Sequence, residues 1–316
     1  MVSITVPPKY HNKKMDRFLL DHFEKLPRSA VFKALRNKDI RVNGKKVSEN
    51  ISVQTGDVLD VYIKDDVLYG IDRGTVLLSA CRQKNRPPVY EDHNLLLVNK
   101  NPGIPVHNTS DTNEASLIDM VTLYLQEKGE YIPGKADGFA PTLCHRLDRN
   151  TGGIVIIAKT QQALDIMLDK IKNHEVKKFY QCIVAGCPQP LQAELRHYLF
   201  KDSRKSQVYI SETRKPGYVE IVTRYRVLEA GEEMSRLEVE LVTGRTHQIR
   251  AHLAYIDHPI VGDGKYGVNK LNRKVKVNHQ ALWAYKLVFD FTDGGVLDYL
   301  KGKVFEIKNI DFKILF

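Results

Sequence analysis

One stretch of this chain, Leu143 to Lys159 (LCHRLDRNTGGIVIIAK), restricts the fold more than any other. Its apolar, β-branched run Ile154 to Ile157 is satisfied only by burial and reads as a core strand. Ahead of the run, Thr151-Gly152-Gly153 reads as a flexible hinge. Ahead of that stands a charged tip: His145, Arg146, Asp148 and Arg149. A buried strand opening straight after Arg-Leu-Asp-Arg sets a carboxylate between two guanidiniums at the lip of a core. Reactive groups held there are rigid and still reach a ligand. A salt-bridged surface turn fits the same residues, so the rest of the chain has to separate the two.

With 316 residues there is room for roughly two domains. The balance of 42% hydrophobic to 27% charged residues is that of a soluble globular protein. No apolar run approaches the ~18 residues that span a membrane, and the N-terminus lacks the apolar core of a secretory signal. Cys81, Cys144, Cys182 and Cys187 form no CxxC pair and fit a reducing cytoplasm, the location expected here. Of the formal net charge of +10, Lys9 to Glu49 carries +7, from twelve Lys/Arg against five Asp/Glu. A small basic unit on a nearly neutral body points to a nucleic-acid contact module. Membrane binding is the weaker reading, because no basic stripe faces a large apolar one.

Along the chain, Met15, Phe18, Leu19 and Phe23 recur at helical spacing, and Pro27 ends that helix. Ser29 is placed to cap a second helix that buries Val31, Phe32 and Leu35. Ile40 to Val42, Asn43-Gly44 and Lys45 to Val47 spell a hairpin with a type I′ turn, and Val58 to Ile63 is a further strand. These elements, with R-x-N-G-K and G-D-V-L-D-V, resemble the S4 RNA-binding domain over about Met15 to Ile63. The resemblance implies that Arg28, Lys33, Arg36, Arg41, Lys45 and Lys46 contact phosphates, giving salt-dependent and weakly sequence-specific affinity. A basic hairpin without a role is the alternative. The expected organisation is an S4-like unit at 1–64, a linker at 65–88 with a brief strand at Val76 to Ser79, and a second domain at 89–316.

In that second domain Leu95 to Val98 is a buried strand. Asp111-x-x-Glu114 is a capping pattern for a helix carrying Leu117, Ile118, Val121 and Leu125. Thr160 caps a helix with Leu164, Met167, Leu168 and Ile171 on one face. Strands follow at Tyr180 to Ala185, Tyr218 to Leu228, Arg236 to Val242, Leu282 to Phe291 and Val304 to Ile314. Gly244 to Arg250 makes a strand-to-helix turn. Many strands with few helices predict an α+β fold with a mixed, largely antiparallel sheet.

HRLDRNTGG, KKFYQCIVAG, LVTGRTHQIRAH and HPIVGDGKYG together resemble the RluA-type pseudouridine synthases, from about Val89 to Phe291. Three positions depart from the family pattern: Gly152 stands where Ser is usual, Asn101 where Pro is usual, and Trp283 where His is common. The resemblance implies an isomerase that converts uridine to pseudouridine within RNA, without redox change and without a cofactor. Asp148 becomes the catalytic carboxylate, as nucleophile or as base on a ribose proton. It has to stay ionised against a base, so a cation must hold its charge, and the resemblance makes Arg250 that partner. Tyr180 is implied to stack on the uracil near C5, and Arg146 to fill the space left by the flipped nucleotide. Accessible RNA loops make that flipping cheaper.

Each residue also has a plain reading. An Asp beside two Arg residues is ordinarily a surface ion pair contributing ~0–1 kcal/mol, Tyr180 a core aromatic, and Arg250 a solvated helix residue. His247 and His252, five residues apart, lie about 140° apart on a helix and do not suit a metal, so none is expected. Lys100 and His107 are candidate phosphate contacts or simple turn residues. A non-catalytic RNA-binding or ribosome-assembly protein is the alternative from another class, but binding alone has no use for a lone carboxylate. A glycosidic hydrolase would need a second carboxylate to activate water, and none flanks these motifs. Large-subunit ribosomal RNA is the expected substrate, because S4-bearing members of the family commonly act there. Transfer RNA is the alternative, and a monomer suffices.

Overall fold

The computed structural model describes residues 2–24, 26–63, 68, 88–107, 115–133, 139–202, 204–205, 207–277, 279–310, 312 and 314. The chain divides into two compact units, residues 1–82 and 83–316.

In the first unit, β1 (Val2–Thr5), β2 (Ile40–Val42), β3 (Lys45–Val47) and β4 (Val58–Val61) form an antiparallel sheet in the order β1-β4-β2-β3. The helices α1 (Met15–His22) and α2 (Arg28–Asn37) bury Met15, Phe18, Leu19, Val31 and Leu35 in the same core. Asn43 and Gly44 have φ of 49° and 78°, the paired left-handed residues of a type I′ turn. Two expectations for α2 fail. Pro27, with φ fixed at −67°, is the cap residue, so Ser29 lies inside the first turn. Phe32 is 40% exposed, and the Arg28 guanidinium lies 6.0 Å over its ring.

The second unit is built on strands β5 (Tyr90–Glu91), β6 (Leu95–Lys100), β7 (Thr142–Leu143), β8 (Gly152–Ala158), β9 (Val176–Ala185), β10 (Gln192–Asp202), β11 (Gln207–Ser211), β12 (Val219–Ala230), β13 (Met234–Leu241), β14 (Leu282–Phe289) and β15 (Val304–Glu306). They form one eleven-stranded sheet in the order β11-β10-β12-β13-β9-β14-β8-β6-β5, with β7 on β8 and β15 on β14. β14 and β8 run parallel and the other pairs antiparallel, which matches the expected α+β class. Helices α3 (Leu117–Glu127), α4 (Gln161–Lys172), α5 (Gln248–Tyr255) and α6 (Asn269–Val275) accompany it.

β8 is buried at every position. Val155 and Ile157 pack with α3 (Leu117, Val121, Leu125) and α5 (Ile249, Leu253). Ile154, Ile156 and Ala158 pack with Ala163 and Met167 of α4. A strand covered on both faces needs an apolar residue at each position, which explains the unbroken run. Each such aliphatic side chain contributes roughly 1.5–3 kcal/mol.

Gly152 and Gly153 are not a hinge. Both lie within β8, where β14 approaches too closely for a side chain. A Cβ on Gly153 (φ +122°) would stand 2.2 Å from the Ala284 carbonyl oxygen, and one on Gly152 would stand 2.5 Å from the Trp283 ring. Glycine for serine at 152 and tryptophan for histidine at 283 are therefore two sides of one contact.

The cap of α3 is Ser116 with Asp119, each side chain bonded to the other's backbone N–H. The expected cap at Asp111 to Glu114 lies outside the described residues, as do the Val76 to Ser79 strand and nearly all of the linker. Thr160 does cap α4, but Leu168 is 46% exposed because Ala163 and Met167 take the inner face. The last strand stops at Glu306. Among the described residues no helix is long and apolar enough to cross a membrane.

Candidate active site

Asp148 lies in the turn joining β7 to β8, where its carbonyl accepts the Thr151 N–H at 3.0 Å. Lys100, at the end of β6, fixes this turn. Its side chain is 1% exposed, and its ammonium donates to the carbonyls of Asn101 (3.1 Å), Ile104 (3.0 Å) and Arg149 (2.9 Å). Gly103 N–H donates to the Arg149 carbonyl at 2.9 Å, and Arg149 Nε returns a bond to the Gly103 carbonyl at 3.0 Å. Burial pulls the Lys100 pKa down to about 7, against the opposing charge of Asp148. Three carbonyl acceptors nevertheless take all three ammonium protons, so this geometry is made for the charged form. Lys100 is a positioning residue under the site and not a phosphate contact. His107 is exposed.

Arg250 arrives on α5, 102 residues further along the chain. Its Nη1 donates to Asp148 Oδ2 at 2.8 Å, while Nε and Nη2 grip both oxygens of Asp263 at 2.6 and 3.0 Å. Asp263 is 0% exposed and also accepts the N–H groups of Lys265 and Tyr266. Burial alone would raise the Asp263 pKa, but the Arg250 guanidinium more than reverses this and holds it below the usual carboxylate range. Burial works against the charge on Arg250, yet Asp263 and then Asp148 hold it firmly protonated. The guanidinium is thus clamped by one carboxylate and presents its last arm to the other. The contacts to Asp148 engage Oδ2; among the described residues no donor reaches Oδ1.

Tyr180 lies on β9, 5% exposed, part of the main core and also a wall of the site. Burial, with the charge of Asp148 adding to it, holds its phenol above the ordinary pKa and so keeps the hydroxyl neutral. His247, considered in the sequence only as a metal ligand, stands with Nε2 4.0 Å from Asp148 Oδ2 and Nδ1 3.0 Å from the Tyr266 hydroxyl. The Tyr266 ring in turn faces Arg250 at 5.3 Å. His252 points elsewhere, to His197 at 2.8 Å and Thr223 at 2.9 Å.

These groups line a cavity of about 510 Å³. Asp148, Tyr180, Arg250 and an exposed Arg146 all meet there, with apolar walls from Leu147, Ile171, Leu241, Ile249 and Leu282. Lys172, Lys178, His174 and Arg245 add basic groups, and Asp148 is the single carboxylate among the lining residues. The sequence reading passed over Lys178 and Asp263. The signals were present: Lys178 is two residues from Tyr180 on one strand face, and Asp263 sits in the GDGKYG segment. In the first unit Arg28, Lys33, Arg36, Lys45 and Lys46 are exposed, Arg28 beside Asp16 at 3.5 Å, while the half-buried Arg41 guanidinium lies 5.0 Å over the Tyr62 ring.

Residues 94–255 match the family model for RNA pseudouridylate synthase. A Vibrio cholerae protein named ribosomal large subunit pseudouridine synthase C is 31% identical over 260 residues, 81% of this chain and 77% of that one. An uncharacterized RNA pseudouridine synthase of Mycoplasma capricolum is 30% identical over 317 residues, 99% of both chains. Among solved structures, human RNA pseudouridylate synthase domain containing 4 aligns with a TM-score of 0.59 at 23% identity, over 76% of this chain and 94% of that one, a likeness of fold. With the family model matched across half its length, and with relatives of this name along nearly all of it, this chain belongs to the RNA pseudouridylate synthase family.

Proposed function

We propose that this protein isomerises uridines within large-subunit ribosomal RNA, with Asp148, Tyr180 and Arg250 as its catalytic residues. The observation that carries the reading is a lone cavity carboxylate whose guanidinium partner is clamped from behind by the buried Asp263. Arg250 fixes Oδ2 and leaves Oδ1 toward the substrate, so the charge is oriented before RNA arrives. From Oδ1 either route begins: attack on C1′ or removal of a ribose proton. The N1–C1′ bond breaks, the uracil turns, and C5 bonds to C1′ as the carboxylate either leaves C1′ or returns the ribose proton. C5 then loses its proton and N1 takes one up, so the product has the composition of the substrate. Tyr180 supports the uracil through that rotation, and Arg146 takes the space of the flipped nucleotide. A hydrolase would want a second carboxylate for water, and Asp263 is fully engaged and 0% exposed.

The ribosomal target follows the names of relatives such as the Vibrio protein. The first unit is read as an S4-like module whose exposed Lys33, Arg36, Lys45 and Lys46 dock RNA phosphates, with Arg28 and Arg41 beside them. All catalytic groups come from one chain, so a monomer suffices. The test maps pseudouridines in total RNA from cells with the gene, without it, and with Asp148→Asn. Sites in large-subunit RNA should vanish in the last two. Loss confined to transfer RNA would redirect the substrate, and full modification by Asp148→Asn would overturn the mechanism. The purified variant should keep RNA affinity within a few-fold, because Arg250 retains Asp263.

A further inference from the structure

Lys178 is the one cavity-lining cation that is both buried and without a counter-charge among the described residues. Its residue is 9% exposed. It lies on the inward face of β9 with Val176, Tyr180 and Cys182, whereas Lys177 turns outward to pair with Asp290 at 2.6 Å. No described carboxylate, carbonyl or hydroxyl holds the Lys178 ammonium, and Asp148 is already bonded to Arg250. His145 beside it has no negative charge to offer, and burial, with Lys178 adding to it, pulls its pKa down to about 3, so the ring stays neutral. On the other side Gly244, also a lining residue, is its near neighbour: Nζ stands 3.8 Å from where a Gly244 Cβ would lie. Exposed Lys172 and Arg245 continue the positive lining.

A buried ammonium without a partner is costly, and here it faces a cavity instead of a protein acceptor. We propose that Lys178, with Lys172 and Arg245 at the rim, forms a phosphodiester subsite for the RNA nucleotide whose base lies on Tyr180. Two residues along one strand face are about 6.7 Å apart, a span suited to a nucleotide with its base at one residue and its backbone phosphate at the other. A compact ammonium suits a phosphate as a point charge. The subsite rests on the isomerase reading for its substrate, and it extends that reading from chemistry to how the target nucleotide is gripped.

The test compares the parent with Lys178→Met and Lys178→Arg, using large-subunit ribosomal RNA from cells lacking the gene. Loss of one phosphate contact should reduce the slope of log affinity against log salt by about 0.7–0.9 in Lys178→Met. Lys178→Arg should keep the parental slope. KM should rise about tenfold in Lys178→Met with kcat nearly kept, as for a contact made equally in ground and transition states. Its melting temperature should be at or above that of the parent, because an unpaired buried charge is gone. An unchanged salt slope overturns the subsite, as does a fall in kcat at constant KM, which would place Lys178 on the base. A lowered melting temperature with an unchanged slope makes the residue structural and also overturns it. Inorganic phosphate should raise the melting temperature of parent and Lys178→Met alike; a larger rise in the parent marks a free-anion site and overturns the RNA assignment. The slope comparison needs no turnover, so a parent that makes no pseudouridine fails the isomerase reading alone.

Discussion

Writing serine back at position 152 tests how β8 and β14 are fitted. A Cβ there would stand 2.5, 2.6 and 2.7 Å from three atoms of the Trp283 ring. The ring is not free to swing aside. Its Nε1 donates to Asn99 Oδ1 at 3.2 Å, and the parallel register sets Trp283 opposite Gly152. Either β14 shifts or the tryptophan leaves its rotamer, an overpacking cost of about 1–3 kcal/mol. For a unit of this size each kcal/mol lowers the melting temperature by roughly 2–4 °C. Trp283→His alone loses buried ring area and is destabilising too, but it opens the space the serine needs. The double variant should therefore be more stable than the sum of the single effects by roughly 0.5–3 kcal/mol. Thermal and urea unfolding of the four proteins measures this coupling, with the isomerase rate as control. A Gly152→Ser protein that melts like the parent, or an additive cycle, would refute the reasoning.

Arg250→Met should be far more damaging than Asp148→Asn. It strands the fully buried Asp263 and should cost about 3–5 kcal/mol in urea unfolding; equal stability of the two variants would count against the clamp. His252 is fully buried, and burial, with His197 adding to it, pulls its pKa from 6.5 down to about 3. Between those values the unfolded chain binds a proton that the folded chain refuses, so stability falls as pH drops through that window. The parent should lose up to about 1.4 kcal/mol per pH unit more than His252→Gln between pH 6 and 4, and parallel stability curves would exclude this. Lys45→Gln with Lys46→Gln should flatten the salt dependence of RNA binding by about 1.4–1.8 in slope while leaving kcat intact. An unaltered slope removes the docking role of the hairpin.

Local chemistry made much of this protein legible in advance. The run Ile154 to Ile157 announced a buried strand, Asn43-Gly44 a tight hairpin, and Thr160 a helix cap, because each depends on neighbours in sequence. The grouping of Asp148, Tyr180, Arg250 and Arg146 came from ordered motifs, and the cavity brings the four together. What stayed hidden depends on partners distant in the chain. Gly152-Gly153 looked like a hinge because only the strand lying against it shows why a side chain is excluded. Lys100 was open between a phosphate contact and a turn role, and the turn role could not be singled out because its three carbonyl partners come from two separate loops. Asp263 had no visible role until Arg250 turned out to carry two carboxylates. Phe32 fitted a helical stripe, but the α2 core was already filled by Val31, Ala34 and Leu35.

The bond between Arg250 and Asp148 also bears on how the protein matures. It closes a loop of 102 residues, and ordering a flexible loop of that length costs about 4 kcal/mol beyond the constant term of closure. One ion pair cannot carry that alone, so β9, β13 and β14 must first bring β8 and α5 together. Asp148 precedes those strands and Arg250 follows most of them, which makes the Asp148–Arg250 pair a late product of folding. Under the roles proposed for these residues, a chain stalled midway through synthesis would display the Arg-Leu-Asp-Arg tip without its guanidinium clamp, and would not isomerise uridine until the sheet is complete.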